Sequence, residues 1–564
     1  MDIDTSFAPT SIIGNIKKLL IKVYNFFFLL NSQSKFVKHN SKVFENKNTK
    51  TKNIILFEQG EAASNLIAYS YLASTLQDIH DSRIVSYFPR VPRNSLRKFM
   101  WWYKSSNRYY STKLFQSFGS NYLLIPSLDK KLMEKSIAIY QDKIKNINNK
   151  FQLLDLSING IVFGDLIYDY YLNYYNETTI DLDSLDFKNH LKYCIKCIVF
   201  WQDFIENNSV KAINTSHTVY TNAIPIRIAV HHEIDSFQVN ATHVYRLNKK
   251  NYFAYKEFLD YKKDFFKLDP AQQSDGIEQA KKRINLRFSG EIGVDMGYSK
   301  KSAFGKSFEY RLIRENDKIK ILLAPHCFFD SPHPFGDNLF PDVFVWLEKL
   351  IEISKKTDYD WYVKTHPDFI AQTKEMVVDI FKDHSNFTIL PSDSSHLQIV
   401  NEGIDFALTM YGSIGFEYAA MNIPVINASL NNPHIAFDFN VNPKSMEEYE
   451  HILMDLGALD HNINKIDVYR YYYMNKLFHS PNWLFGDTDK VLTDLGGYEG
   501  QFAPEMYQYW VDNWSLEKHQ KILLGLRKFI DSREYLYNPD EPVESTIVDQ
   551  SIQAPHTFKQ KKIN

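Results

Sequence analysis

The chain is poor in cysteine, has no long uninterrupted apolar run and carries almost no net charge. Three cysteines in 564 residues, Cys194, Cys197 and Cys327, cannot build a disulfide framework, which points to a reducing compartment. Cys194 and Cys197 form a C-x-x-C pair, yet a zinc site wants about four ligands and no second pair exists. The apolar spacing around the pair predicts a buried helix, and no metal site is expected. The apolar run Val23–Leu30 is preceded by Lys17, Lys18 and Lys22. It falls short of the ~20 apolar residues that a membrane-spanning helix needs. A net charge of −2 excludes a general polyanion binder and argues against nucleic acid as a partner. No internal repeat stands out.

Hydrophobic residues at 44% and charged residues at 23% are ordinary globular usage rather than disorder. A chain of this length divides into two or three domains. Residues 1–52 form an N-terminal amphipathic and basic extension, with Lys35, Lys38, Lys42, Lys47, Lys50 and Lys52 after the apolar run. Two readings stand side by side. One is an anchor on the anionic inner leaflet of the cytoplasmic membrane; the other is a helix packed on the body, followed by a solvated linker.

Alternating structure begins at Asn53. Ile54–Phe57 reads as a buried strand, Glu58-Gln-Gly-Glu61 as the turn leaving it and Ala62–Gln77 as a helix. That succession opens a doubly wound α/β unit. Further strands are expected over Arg83–Phe88 and Val210–Asn214, with Gly160–Phe163 leading into Gly164-Asp165, and a helix over 188–206. In the second half, strands are expected over Ile319–Ala324, Trp361–Lys364, Phe387–Leu390, Ile404–Met410 and Ile423–Asn427, with helices between them. Such alternation means a parallel sheet covered on both faces. The expected division is a first α/β domain over 53–310, a second over 311–510, a crossover helix over 511–535 and a disordered tail over 536–564. The fold class is α/β: two Rossmann-like doubly wound domains facing a cleft.

In open α/β sheets, ligands bind beyond the carboxyl ends of the strands. In the second half those ends carry His326, Asp330 and His333, then Lys364, His366 and Pro367, then Gly412, Ser413, Gly415 and Glu417. Ser413 stands where a strand becomes a helix, beside two glycines. Small residues let a phosphate approach a helix N-terminus, whose free N–H groups and partial positive charge favour anions. Glu417, one turn later, is placed to accept from ribose hydroxyls. His366, set by Pro367, is placed to donate to a departing phosphate.

Lys364-Thr-His-Pro367, with Tyr411-Gly-Ser-Ile-Gly-Phe-Glu417 downstream, resembles the donor lobe of GT-B glycosyltransferases of bacterial surface polysaccharides. Capsule polysaccharide biosynthesis proteins, Kdo transferases among them, are the nearest by pattern; sialyltransferases and teichoic-acid polymerases lie further off. Ala324–His333, Ile161–Asp169 and, more loosely, Ser216-His217 to Ala229 fit the same group. The resemblance covers roughly 160–430. It implies a metal-independent transferase with a nucleotide-sugar co-substrate and no cofactor, CMP-linked donors favoured, and a surface-glycan or glycolipid acceptor. It implies a cytoplasmic protein, peripheral at the inner membrane face on the anchor reading. His366 and Ser413 would hold the donor phosphate and Glu417 the ribose. The general base would come from the first lobe, with Glu58, Glu61 and Asp165 as candidates. The family's acidic base motif is not reproduced, since Glu58-Gln59-Gly60 lacks the second acid.

Three rivals remain. Asp181-Leu-Asp183 matches the Asp-x-Asp metal motif of GT-A transferases, but in an acidic loop without a preceding strand. UDP-sugar 2-epimerases and glycerophosphotransferases place Ser, Gly and Glu at the same turn. A capsule assembly or export factor with a degenerate GT-B body would need no catalysis.

Overall fold

A computed structural model of the chain describes residues 28–44, 51–60, 62–104, 110–296, 299–368, 371–478 and 482–539. It contains two open sheets. Strands β1 (Ile54–Glu58), β2 (Arg83–Tyr87) and β3 (Tyr122–Leu124) belong to the first. A short antiparallel hairpin follows, β4 (Ser157–Ile158) with β5 (Ile161–Val162). Then come β6 (Val210–Thr215), β7 (Asp235–Val239) and β8 (Val244–Leu247). The first sheet runs β3-β2-β1-β6-β7-β8, parallel except for the last strand. Every residue of β1 is buried, as in a sheet covered on both faces.

The second sheet takes β9 (Lys320–Leu323), β10 (Asp360–Val363), β11 (Phe387–Ile389), β12 (Phe406–Thr409) and β13 (Val425–Asn427). These are the five strands that the sequence predicts. They lie in the order β11-β10-β9-β12-β13, all parallel. In each sheet the chain first builds outward on one side, then returns to the other side of its first strand. That reversal sets a switch point between β1 and β6 in one lobe and between β9 and β12 in the other, where α/β sheets bind ligands.

In the first half the sequence reading misses β3, a three-residue edge strand. It leaves 223–245 unassigned: Ala223–His231 is a buried helix and the two strands follow it. Residues 258–296 lie inside the sequence-drawn range 53–310. Their apolar side chains nevertheless pack on the second lobe, where Phe258, Tyr261, Phe265 and Ile284 join Phe416, Phe437, Phe439 and Tyr471.

The chain then crosses back. Helices Glu505–Asp512 and Leu516–Ser532 pack on the first lobe's helix Ala63–His80. Beyond them, Arg246 N donates to Tyr535 O at 2.8 Å and Tyr537 N to Val244 O at 3.0 Å. The open edge of β8 is thereby covered. The start of the expected tail is thus ordered, while 540–564 lie outside the described residues. At the other end, helix Asn31–Val43 buries Phe36 and Val43, with the Phe36 ring 4.7 Å from Tyr507. The described part of the extension therefore fits the packed-helix reading. Residues 1–27 and the linker at 45–50 lie outside the described residues. No described helix is long and apolar enough to cross a membrane.

Candidate functional site

The carboxyl ends of the two sheets face one another. Tyr220, in the loop after β6, donates through Oη to Asp330 Oδ1, in the loop after β9, at 3.0 Å. Beside it, Asn173 Nδ2 donates to Phe329 O at 3.3 Å. The cleft between the switch points thus has a closed floor made by the helix Gly164–Tyr175 and the segment 328–342.

On the second lobe, positive charge gathers around one buried carboxylate. Arg287, from the helix Pro270–Phe288, places Nε at 2.8 Å and Nη2 at 2.5 Å from Glu417 Oε1. Both contacts land on Oε1, so Oε2 retains its acceptor capacity. Lys364 is buried at the end of β10, its Nζ 3.3 Å from His396 Nε2. Burial pulls the Lys364 ammonium down to about 8, against the attraction of Glu417 and Asp393. Lys476 sits in a π-helical stretch, Tyr473–Phe478. Burial and the field of Arg287 bring it to about 8 as well. His366 is lowered by burial while feeling Glu417, Lys364 and Arg287. Arg287, Lys364 and Lys476 thus share the field of Glu417, with Asp295 and Glu257 also acting on Lys476 and Asp393 on Lys364, in a poorly solvated place where an added anion would meet basic side chains.

His326 lies at the switch point itself. Its Nε2 is 3.1 Å from Thr409 Oγ1, its ring centroid is 4.3 Å from that of Tyr411, and burial lowers it to about 4. The neutral imidazole is therefore the form at neutral pH.

The two glycines beside Ser413 have a packing cause. A Cβ on Gly412 would stand 2.9 Å from Thr409 Oγ1 and 3.1 Å from the His326 ring, and one on Gly415 would stand 2.3 Å from His434 Cε1. The space on the Cβ side of each glycine is thus occupied by side chains of the protein. Ser413 occupies the N-cap position of the helix Ile414–Ala420, but its hydroxyl does not cap that helix. Pro367 follows His366, whose Nδ1 accepts from Asp368 N at 3.1 Å.

His333 does not join this group. It is buried at the lobe interface, with Nδ1 2.5 Å from Asp169 Oδ1 and Nε2 3.0 Å from Pro341 O. The reason is topological: the loop after β9 turns toward the first lobe's helix rather than into the cleft. Asp330 is drawn the same way, to Tyr220.

The first lobe's switch point holds Glu58 at the end of β1. Its Oε2 accepts from Thr215 Oγ1 at 2.8 Å, Ser216 N at 2.6 Å and Ser216 Oγ at 2.9 Å; Oε1 accepts from Asn222 Nδ2 at 2.6 Å. A buried carboxylate so fully engaged has its acceptor sites taken up by the protein. It orients its neighbours instead. Ser216 Oγ, having given its one proton to Glu58, can only accept from the His217 Nδ1 that lies 3.0 Å away. That tautomer leaves a lone pair on His217 Nε2, and His217 is exposed. The sequence holds the signal, Ser216-His217 at a strand end, but not its link to Glu58. Arg287 likewise escapes sequence reading, because 130 positions separate it from Glu417.

Asp165 is bound elsewhere. Arg227 grips both its oxygens, Nη1 to Oδ1 at 2.5 Å and Nη2 to Oδ2 at 2.8 Å, and also donates to Val162 O. The pair ties the hairpin to two helices. Glu61 lies outside the described residues.

No protein-family model matches the sequence, and no curated protein does. Among solved structures the chain is similar to KpsC of Thermosulfurimonas dismutans, a β-Kdo 2,4 transferase. Identity there is 12%, with 47% of this chain and 79% of that one covered and a TM-score of 0.30. It is similar to the UDP-GlcNAc 2-epimerase of Neisseria meningitidis, solved with UDP-GlcNAc: 12% identity, 79% and 99% covered, TM-score 0.18. The wall teichoic acid polymerase TagF aligns at 11% identity, 93% and 100% covered, TM-score 0.19. At such identities and TM-scores the likeness carries no argument for an activity. The α/β architecture with two doubly wound sheets stands on the strand orders themselves.

Proposed function

We propose that the protein is a metal-independent glycosyltransferase of GT-B type, moving a sugar from a nucleotide-linked donor to a bacterial surface-glycan or glycolipid acceptor. The observation that carries this reading is the gathering of the buried basic side chains Arg287, Lys364 and Lys476 around Glu417, at the carboxyl edge of the second sheet. Lys364, His366, Arg287 and Lys476 would meet the donor's phosphate, and Glu417 Oε2 would accept from a ribose hydroxyl. His366 would stabilise charge on the departing phosphate oxygen.

Across the cleft, His217 Nε2 would serve as the base, with Glu58 engaged in holding Ser216. It would take the proton of the acceptor hydroxyl as that oxygen attacks the anomeric carbon and the bond to the phosphate oxygen breaks. Glu58 and Ser216 hold the imidazole in the tautomer that can do so. CMP-linked sugars are the favoured donors.

The deciding experiment incubates the full chain with labelled CMP-, UDP- and GDP-linked sugars, with and without surface-glycan acceptor. Transfer that requires acceptor supports the reading. A sugar converted without acceptor points to an epimerase, and neither transfer nor nucleotide binding removes the enzyme reading altogether.

A further inference from the structure

We infer that the helix Ser95–Lys104 docks the protein on an anionic lipid bilayer, its aromatic face entering the headgroup boundary. The helix reads Ser-Leu-Arg-Lys-Phe-Met-Trp-Trp-Tyr-Lys and buries none of its residues in the body. Leu96 is 68% exposed, Phe99 61%, Met100 40% and Trp102 63%. At about 100° per residue, these four fall within one arc of roughly 160°. Trp101 projects from the opposite side and stacks on Phe88, centroids 4.6 Å apart at 20°. The helix is therefore fixed to the body by its back, with its apolar face turned outward.

The charge pattern selects the occupant. Between Ser82 and Leu128 the sequence has no Asp or Glu, while Arg97, Lys98, Lys104 and Lys113 fall inside that span. Arg97 and Lys104 border the apolar arc on one side and Lys98 on the other. Aromatic and aliphatic side chains between basic flanks suit the bilayer interface, where rings sit at headgroup level and cations meet anionic lipid. A protein partner would need acidic complementarity to the same basic flanks.

The docked orientation has a consequence. The helix follows the carboxyl end of β2, and Ser111 Oγ, a few residues on, donates to Gln59 Oε1 at 2.8 Å, next to Glu58. Docking thus brings the Glu58–Ser216–His217 side of the cleft toward the lipid surface. The acceptor would reach it from the membrane, a consequence that rests on the proposed transferase activity. The docking itself does not.

The test is co-sedimentation of the full chain with phosphatidylcholine vesicles and with mixed phosphatidylcholine–phosphatidylglycerol vesicles. Phe99→Gln/Trp102→Gln and Arg97→Glu/Lys98→Glu serve as variants, circular dichroism and a thermal melt check folding, and nucleotide binding is measured in parallel to report on the donor site. The wild type should partition to the anionic vesicles and release as salt rises. Each double variant should lose at least about tenfold in partitioning while nucleotide binding is unchanged. No wild-type binding, or equal binding by the aromatic variant, overturns the proposal. Self-association of the wild type that this variant abolishes, without vesicle binding, reassigns the helix to a protein contact.

Discussion

His333 Nδ1 lies 2.5 Å from Asp169 Oδ1, both side chains buried where the two lobes meet. Burial by itself would lower the histidine, but the charge and hydrogen bond of Asp169 outweigh it and raise the imidazole above its usual 6.5. Both ring nitrogens face acceptors, Asp169 and the Pro341 carbonyl, so the charged form is the one the fold holds. Around the pair, Tyr168 Oη and Thr179 Oγ1 both donate to Asp342 Oδ2, so the same seam carries a second buried carboxylate. The lobes are joined by polar contacts with defined geometry as well as by apolar packing.

Removing one partner should therefore cost more than the pair is worth. Asp169→Asn leaves a buried imidazolium without its counter-charge, and about 3–5 kcal/mol of stability should go. Urea denaturation of wild type and variant measures this. The pH dependence has a definite sign: a raised folded-state value means that the contribution is complete below about 6.5 and falls as pH climbs through the higher value. A wild type whose stability gains through that window, relative to the variant, would contradict the charged pair.

Anion binding at the second lobe should weaken in alkali. Lys364 and Lys476 are each brought to about 8, so the cluster loses positive charge as pH rises through that value. Calorimetric titration with CMP and UDP between neutral and alkaline pH should show affinity falling across it. Lys364→Met should lower affinity about tenfold and flatten the profile; a variant that binds as the wild type does would take Lys364 out of the site.

His217→Gln should reduce turnover by roughly 10²–10⁴-fold with nucleotide affinity intact, because the imidazole faces the acceptor side. Glu58→Gln acts through the tautomer, so its expected mark is a shifted pH–rate profile. Steady-state kinetics over pH separate the two. Unchanged kcat in His217→Gln would return the base to the other candidates.

His366→Ala should lower kcat by roughly 10²-fold or more, the scale of losing one donor to a developing oxyanion, with circular dichroism unchanged. An unaltered rate would leave His366 as the residue that shapes the turn at Asp368.

Gly415→Ala tests the packing account of the glycine pair. The new methyl would meet His434 Cε1 at 2.3 Å, and overpacking of this kind costs roughly 1–3 kcal/mol. A thermal melt should show it without any ligand present. A fully stable Gly415→Ala that loses nucleotide binding would instead revive the reading of Gly415 as room for a phosphate.

The second sheet was legible because each of its strands is a short apolar run bounded by turn residues, followed by a helix of clear period. Lys364, His366 and Glu417 stand out in the sequence for their place beyond strand ends, and the structure sets them in one electrostatic neighbourhood with Arg287. The first lobe was harder to read. Ala223–His231 is apolar but for Arg227 and the terminal His231, a run that a buried helix and a buried strand can both show, and β3 is too short to show alternation. His333 and Asp165 looked like site residues because strand ends and glycine turns attract both ligand contacts and structural ion pairs. Their partners, Asp169 and Arg227, decide between the two, and the strand-end pattern does not announce them.

The sequence by itself determined the alternation of strand and helix, the two-lobed division and the polar character of the strand ends, since these follow from local pattern and propensity. Only the tertiary structure decided which of those polar residues share a site. Arg287 meets Glu417, and Glu58 meets Ser216 and His217, across 130 and 158 positions of chain. Contacts of that kind are set by how sheets and helices stack, and an exposed helix such as Ser95–Lys104 is recognised as unpacked only once everything around it has been placed.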